Sequence, residues 1–283
     1  MSIQLSDCSY GKSSVRVKKL IRKDHHHEIV EMKVTVLCEG DFQATYESGD
    51  NRAILPADTQ KNMIYIFAKT HPLNSIESFA LALSAHFLEE NAQISRVTVE
   101  VDQPLWQAIP VGGQAYPFAC QRAGSEEWCC RVERNRDGLV LRSGVQQLQI
   151  LKTTHSGFAN FKRDAYTTLK DTNDRMLETV LTAWWTYGDM VEDFVQTRQE
   201  VLRRLLETFA THDSLSVQHT LYAMGQAAMK AVAAIQHVQL EMPNLSNLAF
   251  DFSPFDLSDE RDVFIVSSEP QGVVRGTLRR TNA

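Results

Sequence analysis

The sequence of 283 residues lacks several features that would place it in a particular class of protein. Its apolar runs are far shorter than the roughly 20 residues of a membrane-spanning helix. The N-terminus has no basic stretch followed by an apolar one, so we expect a soluble protein that is not exported. The formal net charge of -6 and the scattered Lys and Arg residues offer no basic field for nucleic acid. We therefore expect a globular protein that binds neither membranes nor nucleic acid.

Cysteine is scarce and follows no ligand pattern. The five cysteines make an odd count without any CxxC spacing, which disfavours a disulfide framework or a zinc site and indicates reduced thiols in the cytoplasm. The triplet His25-His26-His27 invites a metal-site interpretation. The sequence does not favour it, because adjacent residues point in different directions and no matching carboxylate or cysteine set accompanies them. We predict no bound metal.

Alternation of apolar and polar residues in the first half of the chain predicts β-strands. Residues 30–36 are apolar at every second position, as in a strand with one face toward water, and residues 15–17 begin a hairpin partner. Residues 97–101 repeat the alternation. Asp137-Gly138 supplies a hairpin turn before a further strand.

Two helices are predicted between these strands. Residues 59–69, which follow Asp58, contain few helix-breaking residues. Asn74 and Glu77 have the spacing of a capping box, and an apolar stripe follows them at helical spacing. The stripe consists of Ile76, Ala80, Leu83 and Phe87.

The second half of the chain repeats this order. A helical pattern that extends from Val217 to Ile235 is the second of two predicted helices. The predicted strands are residues 148–152, 182–187, 238–240, 263–266 and 273–277. The economical interpretation is an α+β protein with two tandem modules, residues 1–140 and 141–283, each an antiparallel sheet backed by a helix pair. The sheet edges favour an oligomer that buries them.

Six sets of short strings carry information beyond periodicity. They are Tyr10-Gly11-Lys12 before Val15-Arg16-Val17; Gly49-Asp50-Asn51 before Asp58-Thr59-Gln60-Lys61-Asn62; Leu151-Lys152-Thr153-Thr154 with Phe158; Asp164 and Tyr166-Thr167-Thr168-Leu169-Lys170 with Asp174-Arg175; Ser216-Val217-Gln218; and Met242-Pro243-Asn244. In this order and at these separations the chain resembles urate oxidase, the cofactor-free uricase family, from about residue 9 to about residue 280. The resemblance implies two tunnelling-fold modules, a homotetramer around a β-barrel tunnel, and active sites at subunit interfaces.

The resemblance assigns five residues to a purine site. Phe158 corresponds to the platform that stacks on the ring, and Arg175 and Gln218 correspond to a clamp on its edges. Val217 and Asp58 correspond to backbone contacts, with Asp58 contributed by a neighbouring subunit. Both lie at predicted helix N-termini, which favour an anion such as urate. Without these strings, Phe158 would be interpreted as a core aromatic and Arg175 as a surface ion-pair residue.

The resemblance also implies a proton relay, from which this sequence departs. Lys12 matches the relay lysine, and Asn244 matches an asparagine beside the site of dioxygen or water. Ala57 occupies the place of the relay threonine, and Ser246 occupies that of the histidine. A general acid or base contributes about 10²- to 10⁴-fold in rate, so slow urate oxidation is expected unless another group substitutes.

The implied function is oxidation of urate, or of a closely related oxidised purine, by dioxygen to 5-hydroxyisourate and hydrogen peroxide. No metal or organic cofactor is expected. The altered relay leaves two alternatives open, namely a different purine substrate or product, and a purine-binding protein without turnover. The retained clamp supports binding in every case and does not discriminate between them.

Overall fold

The computed structural model describes residues 3–258 and 260–281. The chain divides into two units. The first consists of Met1–Gly144 and Glu192–Val195, and the second consists of Val145–Val191 and Gln196–Ala283.

The first unit contains an antiparallel sheet of strands β1 (Tyr10–Arg22), β2 (His27–Gly40), β3 (Ile94–Val111) and β4 (Gln114–Asn135), in this spatial order. Helices α1 (Gln43–Ser48), α2 (Ala57–Thr70) and α3 (Ile76–Glu90) lie between β2 and β3 in the chain. The predicted hairpin is confirmed, since Val15 pairs with Val34 and Val17 pairs with Met32.

One face of this sheet forms the core of the first unit. Helix α2 packs on β1, and α3 packs on β3 and β4. The predicted apolar stripe of α3 is confirmed, because all four of its residues are buried. Burial of a large apolar side chain contributes roughly 1.5–3 kcal/mol, so this stripe holds α3 against the sheet. The buried sheet residues beneath the helices include Val34, Val36, Val97, Val99 and Val101.

The capping prediction for α3 is wrong by one residue. Ser75, not Asn74, is the N-cap, and its side chain accepts a hydrogen bond from the Ser78 amide at 3.0 Å. The Ser78 hydroxyl accepts one from the Ser75 amide at 3.3 Å, which completes the box. Glu77 is buried instead and accepts a hydrogen bond from the Ser143 hydroxyl at 2.6 Å. The sequence contains two overlapping polar pairs at this spacing, and the backbone uses the second.

The second unit contains the larger part of a strand that begins in the first unit, three further strands and two long helices, and these strands are neighbours in the order β5-β6-β7-β8. The strands are β5 (Leu139–Lys152), β6 (Leu177–Tyr187), β7 (Ile235–Ala249) and β8 (Phe264–Arg279), and the helices are α4 (Phe194–Thr211) and α5 (Val217–Ala231). Helix α5 packs on β7 and β8. Within the described residues, no helix is long and apolar enough to span a membrane.

Two predictions for this unit are wrong. Helix α5 ends at Ala231, and Ile235 begins β7 instead of continuing the helical pattern. Residues 263–266 and 273–277, predicted as two strands, belong almost entirely to the single strand β8. Strand β8 pairs with β7 on both sides of an irregularity between Asn244 and Ser246, and polar residues at this irregularity interrupt the apolar pattern.

Candidate active site

Lys12 lies just before a β-bulge and faces the helices of the first unit. It pairs with the fully buried Val36, and residues directly opposite in an antiparallel ladder share a face of the sheet. Val15, three residues later, also faces the core, although regular alternation would place it on the other face. A register shift between Lys12 and Val15 accounts for this, and Ser14 adopts a φ of 56° there. Bulges of this kind re-aim side chains beside active sites.

Helix α2 begins close to Lys12. Ala57 is its first residue and Asp58 its second. A hydrogen bond from Lys61 is the main reason that the pKa of Asp58 lies below its ordinary value, and the charge of Lys12 contributes in the same direction. The first-turn N–H groups of a helix lack intrahelical partners and carry partial positive charge. Lys12, Ala57 and Asp58 therefore lie together at an electropositive helix N-terminus.

The second unit holds Phe158 in an irregular segment between β5 and β6. Its backbone exchanges two hydrogen bonds with Thr172, at 2.8 and 3.0 Å. The ring of Phe161 stacks on that of Phe158 with centroids 4.9 Å apart and planes inclined by 11°. Phe161 was not predicted from the sequence, and its position three residues after Phe158 is the signal that could have identified it. The two rings form a half-buried aromatic platform.

The Arg175 guanidinium lies against this platform. Its Cζ is 5.5 Å from the centroid of the Phe158 ring, and its backbone amide donates to the Ser156 carbonyl at 2.7 Å. Its Nε is buried without a hydrogen-bond partner among the described residues. Burial lowers the pKa of Arg175 from its ordinary value. A planar anion would give this donor a partner and compensate for the lost hydration of the cation.

Helix α5 begins beside the same segment, as predicted. Its N-cap Ser216 accepts a hydrogen bond from the His219 amide at 3.1 Å. Val217 is buried, and Gln218 lines a groove of about 690 Å³ between α5 and β8. The Gly157 amide donates to the Ser214 carbonyl at 2.7 Å, which ties the start of α5 to the Phe158 segment. Backbone hydrogen bonds thus hold the segment of Phe158 and Arg175 beside the turn that precedes α5, whereas the groove lined by Gln218 includes neither Phe158 nor Arg175.

Asn244 and Ser246 both lie in β7. Asn244 pairs with Thr179 on β6 and with Gly272 on β8. Ser246 pairs with Ser267 beyond the irregularity in β8. Both residues are half-buried strand residues of the second unit. In the part of the chain that the structure describes, no three His, Cys, Asp or Glu residues are grouped so that they could hold a metal ion.

Comparison with known proteins decides the family. A sequence model described as Uricase matches residues 8–133 and 141–275. The chain belongs to the uricase family. It is 34% identical to the uricase of Dictyostelium discoideum over 285 residues, which cover 99% of this chain and 98% of that protein. It is 33% identical to the uricase of Arthrobacter globiformis over 278 residues, which cover 98% of this chain and 90% of that protein.

Solved uricase structures have the same fold. The crystal structure of uricase from Arthrobacter globiformis matches with a TM-score of 0.94 at 32% identity, covering 100% of this chain and 97% of that one. A uricase from Bacillus fastidious matches with a TM-score of 0.82 at 22% identity, covering 96% of this chain and 93% of that one, and supports the fold alone. The predicted α+β tunnelling fold is confirmed. As a member of the uricase family, the protein is an oxidoreductase.

Proposed function

We propose that this protein catalyses the oxidation of urate by dioxygen. Urate, dioxygen and water give 5-hydroxyisourate and hydrogen peroxide, with two electrons passing from the purine to dioxygen. The observation that carries the proposal is the Arg175 guanidinium, which lies against the Phe158 ring with a buried Nε that has no hydrogen-bond partner among the described residues. A flat anion with carbonyl and ring-nitrogen acceptors along its edge suits this arrangement.

Each residue of the site has a role in this proposal. Phe158 stacks on the ring and Arg175 binds one edge through its planar fork, while Gln218 binds the other edge through both donor and acceptor. The backbone of Val217 and the amide of Asp58 contact the anion at two helix N-termini. This set orients the purine and stabilises its negative charge.

The chemical step that the protein must supply in this reaction is removal of a proton from the purine. Removal of a proton makes the purine reducing enough to pass an electron to dioxygen, so we propose that no metal or flavin takes part. Lys12 accepts the proton, and Asn244 binds dioxygen or the attacking water above the ring. The thiol form of all five cysteines accords with a cytoplasmic site of action.

The residues at two relay positions, Ala57 and Ser246, lower the expected rate of the reaction. They do not change the identity of the proposed substrate. Ala57 carries no group that can transfer a proton, and the Ser246 hydroxyl does not titrate near neutral pH as an imidazole does. The full-length similarity to several proteins named uricase gives no support to a different purine substrate or to binding without turnover. We therefore propose a slow urate oxidase.

We further propose that the catalytic groups of each unit meet their counterparts on another copy of the chain, within a homotetramer. Strands β1 and β8 stand at sheet edges, which proteins commonly cover by pairing with another chain. Several large apolar side chains are exposed along the β7–β8 hairpin, and burying them against another chain would be favourable. They are Leu248, Val263, Ile265, Val266 and Val273.

The activity is tested with purified protein and no added metal or flavin. Loss of the near-ultraviolet absorption of urate, together with oxygen consumption and peroxide formation, is the expected result, and it should persist after dialysis against a chelator. Binding of urate without any turnover would refute the proposal. Analytical ultracentrifugation should give about 128 kDa for four chains of 32.0 kDa.

The shared site is tested by complementation between two inactive variants. Lys12→Met disables the half-site of the first unit, and Arg175→Met disables that of the second. If each site combines two chains, random co-assembly of the variants restores about a quarter of the wild-type activity, because one site in four then has two intact halves. A tetramer in which every chain carries both substitutions is the inactive control. Absence of restored activity in mixed tetramers would mean that each site uses a single chain.

A further inference from the structure

The connection that precedes α2 is held by two side chains from different elements. The Leu55 amide donates a hydrogen bond to Tyr10 Oη at 2.9 Å. The Leu55 carbonyl accepts one from Gln60 Nε2 at 3.2 Å. Both backbone polar groups of Leu55 are therefore fixed, one from strand β1 and the other from the first turns of α2.

Both side chains are themselves held firmly. The Tyr10 ring contacts the ring of Phe42 edge-to-face, with centroids 4.8 Å apart, and Phe42 is buried. Burial is the main reason that the pKa of Tyr10 lies above its ordinary value, so the phenol stays neutral near physiological pH. Gln60 is fully buried, and its Oε1 has no hydrogen-bond partner among the described residues. Each side chain can act as a rigid spacer because its surroundings leave it little freedom.

The two ends of the Tyr10 contact are close in sequence to the catalytic groups. Tyr10 and Lys12 are two residues apart on one face of β1, opposite the buried Cys38 and Val36. At the other end, Leu55 precedes Ala57 by two residues. The methyl group of Ala57 cannot form a hydrogen bond with Lys12. The hydrogen bond between the Leu55 amide and Tyr10 Oη instead links strand β1 to the start of α2.

We infer that Tyr10 is a positioning residue that sets the distance between the side-chain nitrogen of Lys12 and the free amides at the N-terminus of α2, with Gln60 holding the same connection from the helix side. The inference rests on the proposed function, since that distance matters only if a proton passes at this place. Tyr10 contacts neither substrate nor the reacting atoms in this proposal, and it acts through Leu55.

The test compares Tyr10→Phe with a matched control. Tyr46→Phe removes a neighbouring phenol that donates to the Ser9 carbonyl at 3.2 Å and makes no described contact with the α2 connection. In Tyr10→Phe we expect amide exchange at Leu55 to accelerate by about tenfold or more, because a backbone donor loses its partner. We expect kcat for urate to fall by about tenfold or more, since a misplaced base loses proximity, and the pH profile of kcat to shift. Tyr46→Phe should leave all three unchanged.

A second comparison separates positioning from stability. Phe42→Leu weakens the packing under Tyr10 and keeps the bond to Leu55, so it should lower the melting temperature without shifting the pH profile of kcat. Equal kinetic losses in Phe42→Leu and Tyr10→Phe would overturn the inference, as would unchanged exchange at Leu55 or unchanged kcat in folded Tyr10→Phe. If the wild-type protein does not oxidise urate, the proposed function fails, and amide exchange at Leu55 alone decides whether Tyr10 fixes the connection.

Discussion

Replacing Arg175 by methionine should weaken purine binding at least about a hundredfold without weakening the fold. In the free protein the Nε donor of Arg175 is buried and has no hydrogen-bond partner among the described residues. An unsatisfied buried donor costs about 1–3 kcal/mol. Methionine fills most of the same volume with an unbranched apolar chain, so it removes this cost without leaving a large cavity. The free energy of unfolding should therefore stay constant or rise by up to about 3 kcal/mol.

The loss of affinity is estimated from the hydrogen bonds that the ligand would make. Each bond from a charged donor contributes about 1.5–3 kcal/mol, so two bonds from the guanidinium fork contribute about 3–6 kcal/mol. Since about 1.4 kcal/mol corresponds to a factor of ten, urate should bind at least about a hundredfold more weakly to Arg175→Met. Anaerobic titration calorimetry measures this affinity without turnover. Denaturant unfolding at a fixed protein concentration measures the stability.

Arg163 provides the matched control. Its Cζ lies 4.6 Å from the centroid of the Phe161 ring, but its guanidinium also pairs with Asp171 at 3.1 Å and donates to the Leu169 carbonyl at 2.8 Å. Arg163→Met should leave urate affinity unchanged and lower stability slightly, because it breaks satisfied contacts at the surface. Retention of wild-type affinity in Arg175→Met, or a loss of stability larger than in Arg163→Met, would refute the reasoning.

Three further predictions concern the relay, the thiols and pH. Ala57→Thr together with Ser246→His should raise urate turnover by about a hundredfold or more, and no gain in oxygen consumption would reject the relay account. Burial raises the pKa of the Cys38 thiol to about 12, so alkylation at about pH 8 should spare it until the protein unfolds; native labelling would contradict this. A hydrogen bond from Thr154 is the main cause that lowers the pKa of Asp174. The stability that it contributes is present above about pH 4 and is lost as pH falls through the lowered pKa, so Asp174→Asn should destabilise the protein at neutral pH and not in acid. Equal destabilisation at both pH values would contradict the assignment.

Much of the fold could be predicted from hydrophobic periodicity, because burial on one face imposes a regular pattern. The α3 stripe and the pairing of Val15 with Val34 follow from that rule. The bulge after Lys12 could not be predicted, since one extra residue in a strand leaves no apolar signal. Ile235 was misassigned because an apolar residue beyond a helix fits the helical and the strand pattern equally well.

The candidate site was predicted by a different kind of information. Arg175 and Phe158 were identified from strings of residues and not from periodicity, because a half-buried cation and a half-buried ring look ordinary in any pattern. Tyr10 lies within one of those strings and was still missed as a functional residue. Its contact with Leu55 joins positions 45 residues apart, and local sequence carries no record of such a contact.

The bulge after Lys12 affects how related sites should be sought in distant sequences. The extra residue lies between Lys12 and Val15, opposite Thr35. A chain that lacked Ser14 would pair regularly and would still place its lysine opposite Val36, on the same side of the sheet. The number of residues between the lysine and the next core valine is therefore free to differ by one. An alignment that insists on fixed spacing would miss such a relative, whereas one that follows strand register would find it.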